Sequence, residues 1–353
     1  MLPTGLLAAA NVYPGDIRQT FPAWLRVRSY SRVFVLADSN TRRHCLPYFQ
    51  SCLDTVAWNW VDVPAGEIHK TLSTCAHIWQ AMLEARLDRS ALVVNLGGGV
   101  IGDMGGFCAA TYKRGTDFVQ VPTTLLAMTD AAIGGKVGVD FQGIKNVIGV
   151  FRMPAAVFAD PAFLKTLPER ELRSGFAEVV KHGCIGEPAW WSQLAALPAG
   201  FESSWHTDDW TALLERSIAV KLRVVAEDPL EKGLRAVLNF GHTIGHALES
   251  YFLNTADPLT HGEAVAIGMY CETGAAGLEI PQLDAVILRH FPKRHLPEAA
   301  FPALWALMQQ DKKNAADTVR MALPGNAPFS LRLLELSAAA MEAGIRGYNA
   351  LIC

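Results

Sequence analysis

The chain has 353 residues, of which 50% are hydrophobic and 18% charged, with a net charge of −3. This length allows two domains with substantial cores, and the composition excludes a disordered chain. A net charge this close to zero predicts no surface for nucleic acid.

The cysteines indicate a reducing compartment. Seven are scattered along the chain and none is spaced Cys-x-x-Cys, a pattern that favours reduced thiols over a disulfide framework. The first residues lack the basic start and long apolar run of a signal peptide, and no apolar stretch is long enough to span a bilayer. We therefore expect a cytoplasmic protein with no membrane partner.

Short β-branched runs alternate with helical patterns in the first half of the chain. Strands are predicted at residues 33–37, 92–96 and 118–122, and a helix at 74–85, an alternation that favours a parallel sheet flanked by helices. After about Pro168 helices are predicted at 169–181, 211–225, 242–252, 263–277 and 302–310, with one weak strand at 319–323. We expect a Rossmann-like α/β domain over residues 1–166 and an all-α domain over residues 167–353.

A glycine-rich turn follows the second predicted strand. Gly97-x-Gly99-x-x-Gly102 opens a helix, where small residues let a pyrophosphate approach and the helix N-terminus offers free N–H groups. The alternative is a tight strand-to-helix turn without a ligand, since the acid expected about 20 residues later is missing. Asp38 and Asn40, after an earlier strand, could serve the adenosine ribose instead.

Polar residues at other predicted strand ends suit anions. Thr123 and Thr124 offer hydroxyls to a ligand, or alternatively cap a helix. Lys136 and Lys145 stand near glycines and small apolar residues, which suits a phosphate better than a solvated loop.

Three histidines predict a metal site in the second half. His242 and His246 lie four residues apart on one helical face, and His261 follows a short polar connection. Converging imidazoles suit a divalent transition metal, above all zinc. The site is not that of a zinc protease, because Thr243 stands where the His-Glu-x-x-His motif requires glutamate.

A carboxylate on an earlier helix could complete this site. Glu178 with His242 and His261 would form a two-histidine, one-carboxylate site with an open position for substrate. The alternatives are a surface ion pair between Glu178 and Lys181, which the apolar neighbours disfavour, and His182 as a rival ligand. Other cations and amides near these motifs form a possible anion-binding shell: Lys221, Arg235, Asn239 and Lys312 or Lys313.

Taken together, the motifs resemble those of the 3-dehydroquinate synthase family of sugar-phosphate cyclases. They are Gly-Gly-Gly-Val-Ile-Gly-Asp from residue 97, Gln-Val-Pro-Thr-Thr from 120, Gly-Gly-Lys from 134, Ser-Gly-Phe-Ala-Glu-Val-Val-Lys from 174, Leu-Asn-Phe-Gly-His-Thr-Ile-Gly-His from 238 and His-Gly-Glu from 261. The resemblance runs from about Asp38 to Lys313. It implies NAD and Zn²⁺ or Co²⁺ as cofactors.

The resemblance also implies site residues. The metal ligands it implies are Glu178, His242 and His261. The NAD contacts it implies are Asp38, Asn40, Glu67, Lys70, Gly98, Gly99, Val100, Asp103, Thr123, Thr124, Asp130, Lys145, Phe163, Leu164, Lys165, Thr166 and Glu171. The substrate-binding or catalytic residues it implies are Lys136, Asn146, Lys181, Lys221, Glu231, Arg235, Asn239, His246 and Lys312 or its neighbour Lys313. Arg114 matches an arginine lent to the neighbouring subunit's phosphate pocket, which implies a homodimer.

The implied reaction converts 3-deoxy-D-arabino-heptulosonate 7-phosphate to 3-dehydroquinate and phosphate by transient oxidation, elimination, re-reduction and aldol cyclisation. This chain departs from the family pattern at four positions: Ala131 and Ala132 stand where serines are common before Gly-Gly-Lys, and Val137 and Asp140 stand where threonine and asparagine are common after it. A cyclase for another sugar phosphate is therefore one alternative. A metal-dependent NAD polyol dehydrogenase and a non-catalytic binding subunit are the others.

Overall fold

The computed structural model describes residues 3–53, 56–310 and 319–353. They divide into two compact units. One takes in the described residues up to Pro168 together with Trp205–Leu222, and the other takes in Glu169–Ser204 and the described residues from Arg223 onward. The boundary that the sequence predicts after residue 166 stays a prediction, and the assignment of Trp205–Leu222 to the first unit had no signal in the sequence. Within the described residues, none of the helices combines the length and apolar character that crossing a bilayer requires.

Helices and strands alternate in the first unit, whereas the second unit is mostly helical. The strands are β1 Val12–Pro14, β2 Val33–Asp38, β3 Trp58–Val63, β4 Leu92–Gly97, β5 Asp117–Pro122, β6 Lys136–Phe141, β7 Ile144–Phe151, β8 Ala156–Ala159, β9 Val319–Pro324 and β10 Leu331–Leu336. The helices are α1 Pro3–Ala9, α2 Ile17–Arg26, α3 Ser39–His44, α4 Leu46–Gln50, α5 Leu72–Glu84, α6 Gly99–Thr111, α7 Glu169–Ile185, α8 Pro188–Ala195, α9 Thr207–Glu227, α10 His242–Phe252, α11 His261–Ala276, α12 Leu283–His290, α13 Phe301–Gln309 and α14 Ala338–Ile352.

A six-stranded parallel sheet is the centre of the first unit. Its strand order is β1-β8-β5-β4-β2-β3, and every neighbouring pair is parallel. Strands β2 and β4 are buried almost throughout, as expected of parallel strands covered on both faces. The predicted α/β fold is confirmed, and the carboxyl ends of β2, β4 and β5 bring the predicted binding loops to one edge of the sheet.

Close glycine packing holds α6 against the sheet. A Cβ on Gly105 would lie 2.7 Å from a methyl carbon of Leu36, and one on Gly106 would lie 2.5 Å from a methyl carbon of Val137. Any larger residue at these positions would push the helix away from the strands. The start of α6, which carries the glycine-rich turn, is therefore fixed by the core beneath it.

Helices pack in the second unit around α11. A Cβ on Gly268 of α11 would lie 2.0 Å from the Gly241 carbonyl oxygen, and one on Gly262 would lie 1.9 Å from the Ser174 carbonyl oxygen. Helix α11 therefore approaches both α10 and α7 at backbone distance. The predicted helical character is confirmed, but the unit also contains the antiparallel pair β9–β10, so "all-α" was too narrow a description.

Candidate active site

The glycine-rich turn leaves the start of α6 without a capping side chain. Gly98 occupies the N-cap position and α6 begins at Gly99. The N-terminal N–H groups of a helix need partners from outside the helix, and a phosphate is a suitable one because it is anionic. Gly98 would meet the Thr124 side chain at 3.2 Å if it carried a Cβ, so the turn lies directly against the end of the next strand. These features fit a dinucleotide.

The other polar strand ends already make local contacts. The Asp38 carboxylate accepts hydrogen bonds from the backbone N–H groups of Asn40 (2.9 Å) and Thr41 (2.8 Å) and so caps α3. The Thr124 hydroxyl accepts one from the N–H of Ala127 at 3.1 Å, which is the capping role that the sequence left open. Thr123 is buried, and its N–H donates to the carbonyl of Gly97 at 3.0 Å.

Hydrogen bonds join three predicted site residues to Asp140, which the sequence flagged only as a departure: Lys70, Asn146 and Asp140 form a closed ring, and Asp103 bonds to Lys70 from outside it. The buried Lys70 ammonium donates to Asp103 at 2.7 Å and to the Asn146 side-chain oxygen at 2.5 Å. The N–H of Asn146 donates to the Asp140 carboxylate at 2.7 Å, and the N–H of Asp140 donates back to the Lys70 carbonyl at 2.9 Å. Burial raises the pKa of Asp103, against the opposing charge of Lys70. Asn146 is thus held in a left-handed conformation with φ 52°.

Lysine and aspartate also pair at a second point in this unit. The Lys221 ammonium lies 2.6 Å from the Asp130 carboxylate and 2.5 Å from the Asp130 carbonyl oxygen. Lys221 is buried, whereas Lys136, Lys145 and Arg114 are exposed. The structure therefore brings together one predicted substrate residue with one predicted cofactor residue.

The remaining predicted cofactor residues lie on separate segments. Phe163 and Leu164 are buried in the 3₁₀ helix Pro161–Thr166, whereas Lys165 and Thr166 are exposed. Glu67, at the start of another 3₁₀ helix, lies 4.0 Å from the Lys70 ammonium. Glu171 is exposed near the start of α7 in the other unit. Lys312 and Lys313 lie outside the described residues.

The predicted metal ligands converge in the second unit. Oε1 of Glu178, on α7, lies 3.6 Å from Nε2 of His242 and 3.7 Å from Nε2 of His261. Two ligand atoms of a tetrahedral zinc ion, each about 2.0–2.1 Å from it, lie roughly 3.3 Å apart. The donor set therefore matches a cation after a shift of a few tenths of an ångström.

The other nitrogen of each of these imidazoles is already engaged. Nδ1 of His242 lies 3.1 Å from the Phe240 carbonyl oxygen, and Nδ1 of His261 lies 2.9 Å from the Glu249 carboxylate. An Nδ1–H donated to these oxygens leaves Nε2 as the atom with a lone pair, and Nε2 is the atom that faces Glu178. Such carboxylate–histidine pairs are typical of metal sites.

Glu178 is a buried carboxylate that needs a cationic partner. Its side chain is 0% exposed, and neither oxygen accepts a hydrogen bond of good geometry from the described residues, although Lys181 forms an ion pair with it. Burial alone would raise the pKa of Glu178, but the ammonium of Lys181 and the His261 ring hold it well below its usual range. Burial likewise disfavours a charged His261, yet Glu178 and Glu249 raise its pKa to about 9. The local field thus favours positive charge.

His246 joins the same cluster. Its ring centroid lies 5.0 Å from that of His242 and 5.7 Å from that of His261, and the three rings can each present a nitrogen within 4.8 Å of the others. The triad of histidines that the sequence first predicted and the Glu178 set therefore coincide in space. His182, the rival ligand, is fully buried on α7.

The segment before α10 presents a cation and an amide. Residues 234–239 form a 3₁₀ helix, which Gly241, with φ 80°, separates from α10. Arg235 is 3% exposed and donates to the Pro229 carbonyl at 2.7 Å, and the Asn239 side chain donates to Glu231 at 3.2 Å. A buried guanidinium of this kind suits a carboxylate or a phosphate.

Several residues that organise the site were missed in the sequence. Glu249 follows His246 by three positions, a helical spacing that could have placed both on one face. Glu263 forms a capping box with Thr260, which the Thr-x-x-Glu pattern could have revealed. No local pattern indicates Glu272 on α11, whose carboxylate accepts a hydrogen bond from the backbone N–H of Gly241 just before α10, because these two helices meet only in the fold.

Comparisons with known proteins agree with this architecture. The family of 3-dehydroquinate synthase N-terminal domains matches residues 60–174, and that of the C-terminal domains matches residues 175–314. The 3-dehydroquinate synthase of Parabacteroides distasonis is 36% identical over 318 residues, which are 88% of this chain and 89% of that protein. That of Gloeobacter violaceus is 47% identical over 272 residues, 75% of this chain and 74% of that protein.

Solved structures show the same fold. The 2-epi-5-epi-valiolone synthase of Streptomyces hygroscopicus, solved with NAD⁺ and Zn²⁺ bound, has a TM-score of 0.82 and 28% identity over 96% of each chain. Fold and site together define a sugar-phosphate cyclase architecture, with a parallel-sheet unit and a helical unit that carries the Glu–His cluster. Within that class, the chain belongs to the 3-dehydroquinate synthase family.

Proposed function

We propose that this protein converts 3-deoxy-D-arabino-heptulosonate 7-phosphate to 3-dehydroquinate and inorganic phosphate. The observation that supports this most is the buried Glu178 carboxylate with the Nε2 atoms of His242 and His261 at 3.6 and 3.7 Å, in a chain of this family. Glu178, His242 and His261 would hold a zinc or cobalt ion. When bound, such an ion acidifies a substrate hydroxyl, and NAD takes up and returns a hydride.

The first unit would hold NAD at the carboxyl edge of its sheet. The uncapped start of α6 suits the pyrophosphate, and Asp103 of the same helix accepts a hydrogen bond from Lys70. Among the residues that the family pattern assigns to NAD, Asp38 and Thr124 cap local turns through one oxygen each, which fixes their orientation before a ligand arrives.

The chain's own residues would bind and orient the substrate. Lys136, Asn146, Asn239 and His246 would hold the phosphate, and Lys221 and Arg235 the carboxylate. During elimination the C–H electron pair would form the new double bond, the C–O bond would break with its electron pair leaving on the phosphate oxygen, and the phosphate itself would accept the proton. These residues therefore act mainly by positioning, a contribution that can be large because it removes the entropy cost of alignment.

A single assay tests this function. Purified protein supplied with NAD and zinc or cobalt should release inorganic phosphate from the heptulosonate phosphate without net NADH. Glu178→Gln should lower the rate by more than about 100-fold, because loss of even a hydrogen-bond partner of a metal ligand costs 10–100-fold. Glu169→Gln, on the exposed start of the same helix, should leave the rate unchanged. Net NADH with an alcohol would identify a dehydrogenase, and metal-loaded protein without phosphate release would overturn the proposal.

We also propose a homodimer. The hairpin β6–β7 together with Met153, two residues beyond it, exposes six apolar side chains by 39–58%: Phe141, Ile144, Val147, Val150, Phe151 and Met153. Contiguous apolar exposure of this kind is a feature of interaction surfaces. Light scattering should give twice the chain mass, and Val150→Glu should shift the protein towards monomer. If Arg114 acts in a neighbouring subunit, an Arg114→Ala chain mixed with a Glu178→Gln chain should recover activity that neither has alone.

We infer a cytoplasmic location from the thiols. All seven cysteines are free and five of them are buried. Burial raises the pKa of Cys45 to about 11, so its thiol stays protonated and unreactive. Thiols of this kind are usual in a reducing compartment.

A further inference from the structure

Helix α10 carries two residues of the histidine cluster, yet its N-cap position cannot supply a cap. Gly241 has no side chain and takes the left-handed conformation with φ 80°. A Cβ there would lie 2.5 Å from Cγ of Met269 and 2.8 Å from the Val265 carbonyl oxygen. The close approach of α11 therefore requires glycine, and the free N–H groups at the start of α10 need a partner from elsewhere.

Glu272 on α11 supplies that partner. It is 0% exposed, its Oε2 accepts a hydrogen bond from the N–H of Gly241 at 2.8 Å, and its Oε1 accepts one from the N–H of Ile244 at 2.9 Å. Ile244 is the third residue of α10, whose N–H an N-cap side chain ordinarily satisfies. Charge-assisted bonds to a helix N-terminus are among the stronger ones in proteins.

These two bonds bracket a proposed metal ligand. His242 is the first residue of α10, and Glu272 holds the backbone immediately before it and two residues after it. We propose that Glu272 is a positioning residue that fixes the direction in which His242 presents Nε2 to Glu178. Through the fixed start of the same helix it also sets the position of His246. This inference rests on the metal site of the proposed function and adds to it the residue that orients one of its ligands.

A second buried side chain on α11 provides a matched control. Cys271 is the neighbouring residue and is also 0% exposed, but its carbonyl faces Gly344 on α14 rather than α10. Cys271→Ala removes buried volume from the same helix and leaves both bonds of Glu272 in place. It therefore measures general destabilisation apart from the orientation of His242.

The test is a metal competition with the full-length protein. Zn²⁺ is titrated against a chromophoric chelator, and Co²⁺ is followed through its visible absorption, which reports coordination geometry. Glu272→Gln keeps one acceptor oxygen and should weaken Zn²⁺ binding about 10–100-fold, the usual cost of losing support for a ligand. It should also change the Co²⁺ spectrum, whereas Cys271→Ala should change neither even where it lowers the melting temperature equally. Glu272→Ala should exceed Glu272→Gln in effect wherever it folds.

The outcomes separate the two proposals. If the parent protein binds one metal per chain and Glu272→Gln binds it within twofold of the parent with the same spectrum, the role of Glu272 is refuted and the metal site stands. If Glu272→Gln and Cys271→Ala weaken binding equally, Glu272 contributes only stability and the inference is again overturned. A parent protein that binds no metal would overturn the proposed function first.

Discussion

Replacing Arg170 by methionine should destabilise the protein by breaking a partly buried ion pair at the start of α11. The Arg170 side chain, from α7, donates to Glu263 through Nε at 3.0 Å and through Nη2 at 2.8 Å, and Nη2 also donates to the Pro258 carbonyl at 2.6 Å. Helix α7 carries Glu178 and α11 begins at His261. The pair therefore ties together two helices that each supply a proposed metal ligand.

The magnitude follows from the burial of the two partners. Glu263 is 2% exposed and would keep only its bond from the N–H of Thr260, whereas Arg170 is 45% exposed. Breaking a fully buried pair costs about 3–5 kcal/mol, and screening at the exposed arginine reduces this to about 2–3 kcal/mol. Arg170→Met should therefore lower the free energy of unfolding by that amount, and Glu263→Gln, which keeps the shape and the cap, by less.

Urea unfolding followed by circular dichroism measures this effect, and a double-mutant cycle isolates the pair. The coupling between Arg170→Met and Glu263→Gln should be at least about 1 kcal/mol. Burial tends to raise the pKa of Glu263, but the interactions with Arg170 and Thr260 together outweigh this effect, and the pKa is lowered. A carboxylate whose pKa is lower in the folded protein than in the unfolded chain stabilises the fold above the ordinary carboxyl pKa of about 4.3. This contribution is lost as the pH falls below that value. Arg170→Met should thus show a flatter acid limb, and additive mutants with a loss below 0.5 kcal/mol would refute the reasoning.

Three further predictions concern single side chains. Burial lowers the pKa of His290 to about 4, so between pH 6.5 and 4 the unfolded chain binds more protons than the folded protein. Stability should therefore fall as the pH is lowered through this range, by about 1–2 kcal/mol after allowance for partial exposure. His290→Leu should flatten this pH dependence in urea unfolding, and an unchanged slope would contradict the prediction. Asp140→Ala should raise the KM for the sugar phosphate about tenfold because it frees the Asn146 backbone, whereas Asp140→Asn should keep the KM of the parent protein. Equal KM values in the two variants would show that Asp140 does not position Asn146. Glu249→Gln should weaken metal affinity about 10–100-fold by loosening His261, as measured by chelator competition, and an unchanged affinity would exclude Glu249 as its orienting partner.

The fold followed from the sequence where the hydrophobic pattern was continuous. The buried strands β2, β4 and β5 were predicted to within one residue at each end, because a continuous apolar run marks burial on both faces. In the second unit α7, α10, α11 and α13 were predicted with ends off by at most four residues, whereas α8, α12 and α14 were not predicted. The short strands β1 and β8 were missed, since three or four residues carry no periodicity. The hairpin β6–β7 was missed for another reason: its second strand exposes apolar residues, which a pattern of inside and outside faces does not predict.

The candidate site was predictable in its chemistry but not in its supports. Histidine spacing and family motifs named Glu178, His242 and His261, and the structure places Nε2 of each histidine within 3.7 Å of Oε1 of Glu178. The sequence could not show that Lys221 pairs with Asp130, because those residues are 91 positions apart. Long-range pairs of this kind depend on which helix meets which loop, and local sequence does not specify that.

The structure also separates the departures from the family pattern by what they touch. Val137 belongs to the hydrophobic core and packs against Gly106, so a hydroxyl at this position would face apolar side chains rather than a ligand. Asp140 accepts from the backbone of the hairpin, a task that the family's asparagine oxygen can also perform. Ala131 lies 3.3 Å from where a Cβ of Gly99 would stand, against the turn proposed for the pyrophosphate. Among these three departures, Ala131 is therefore the one that bears on how the cofactor is seated, and none of them removes a cation from the proposed anion pocket.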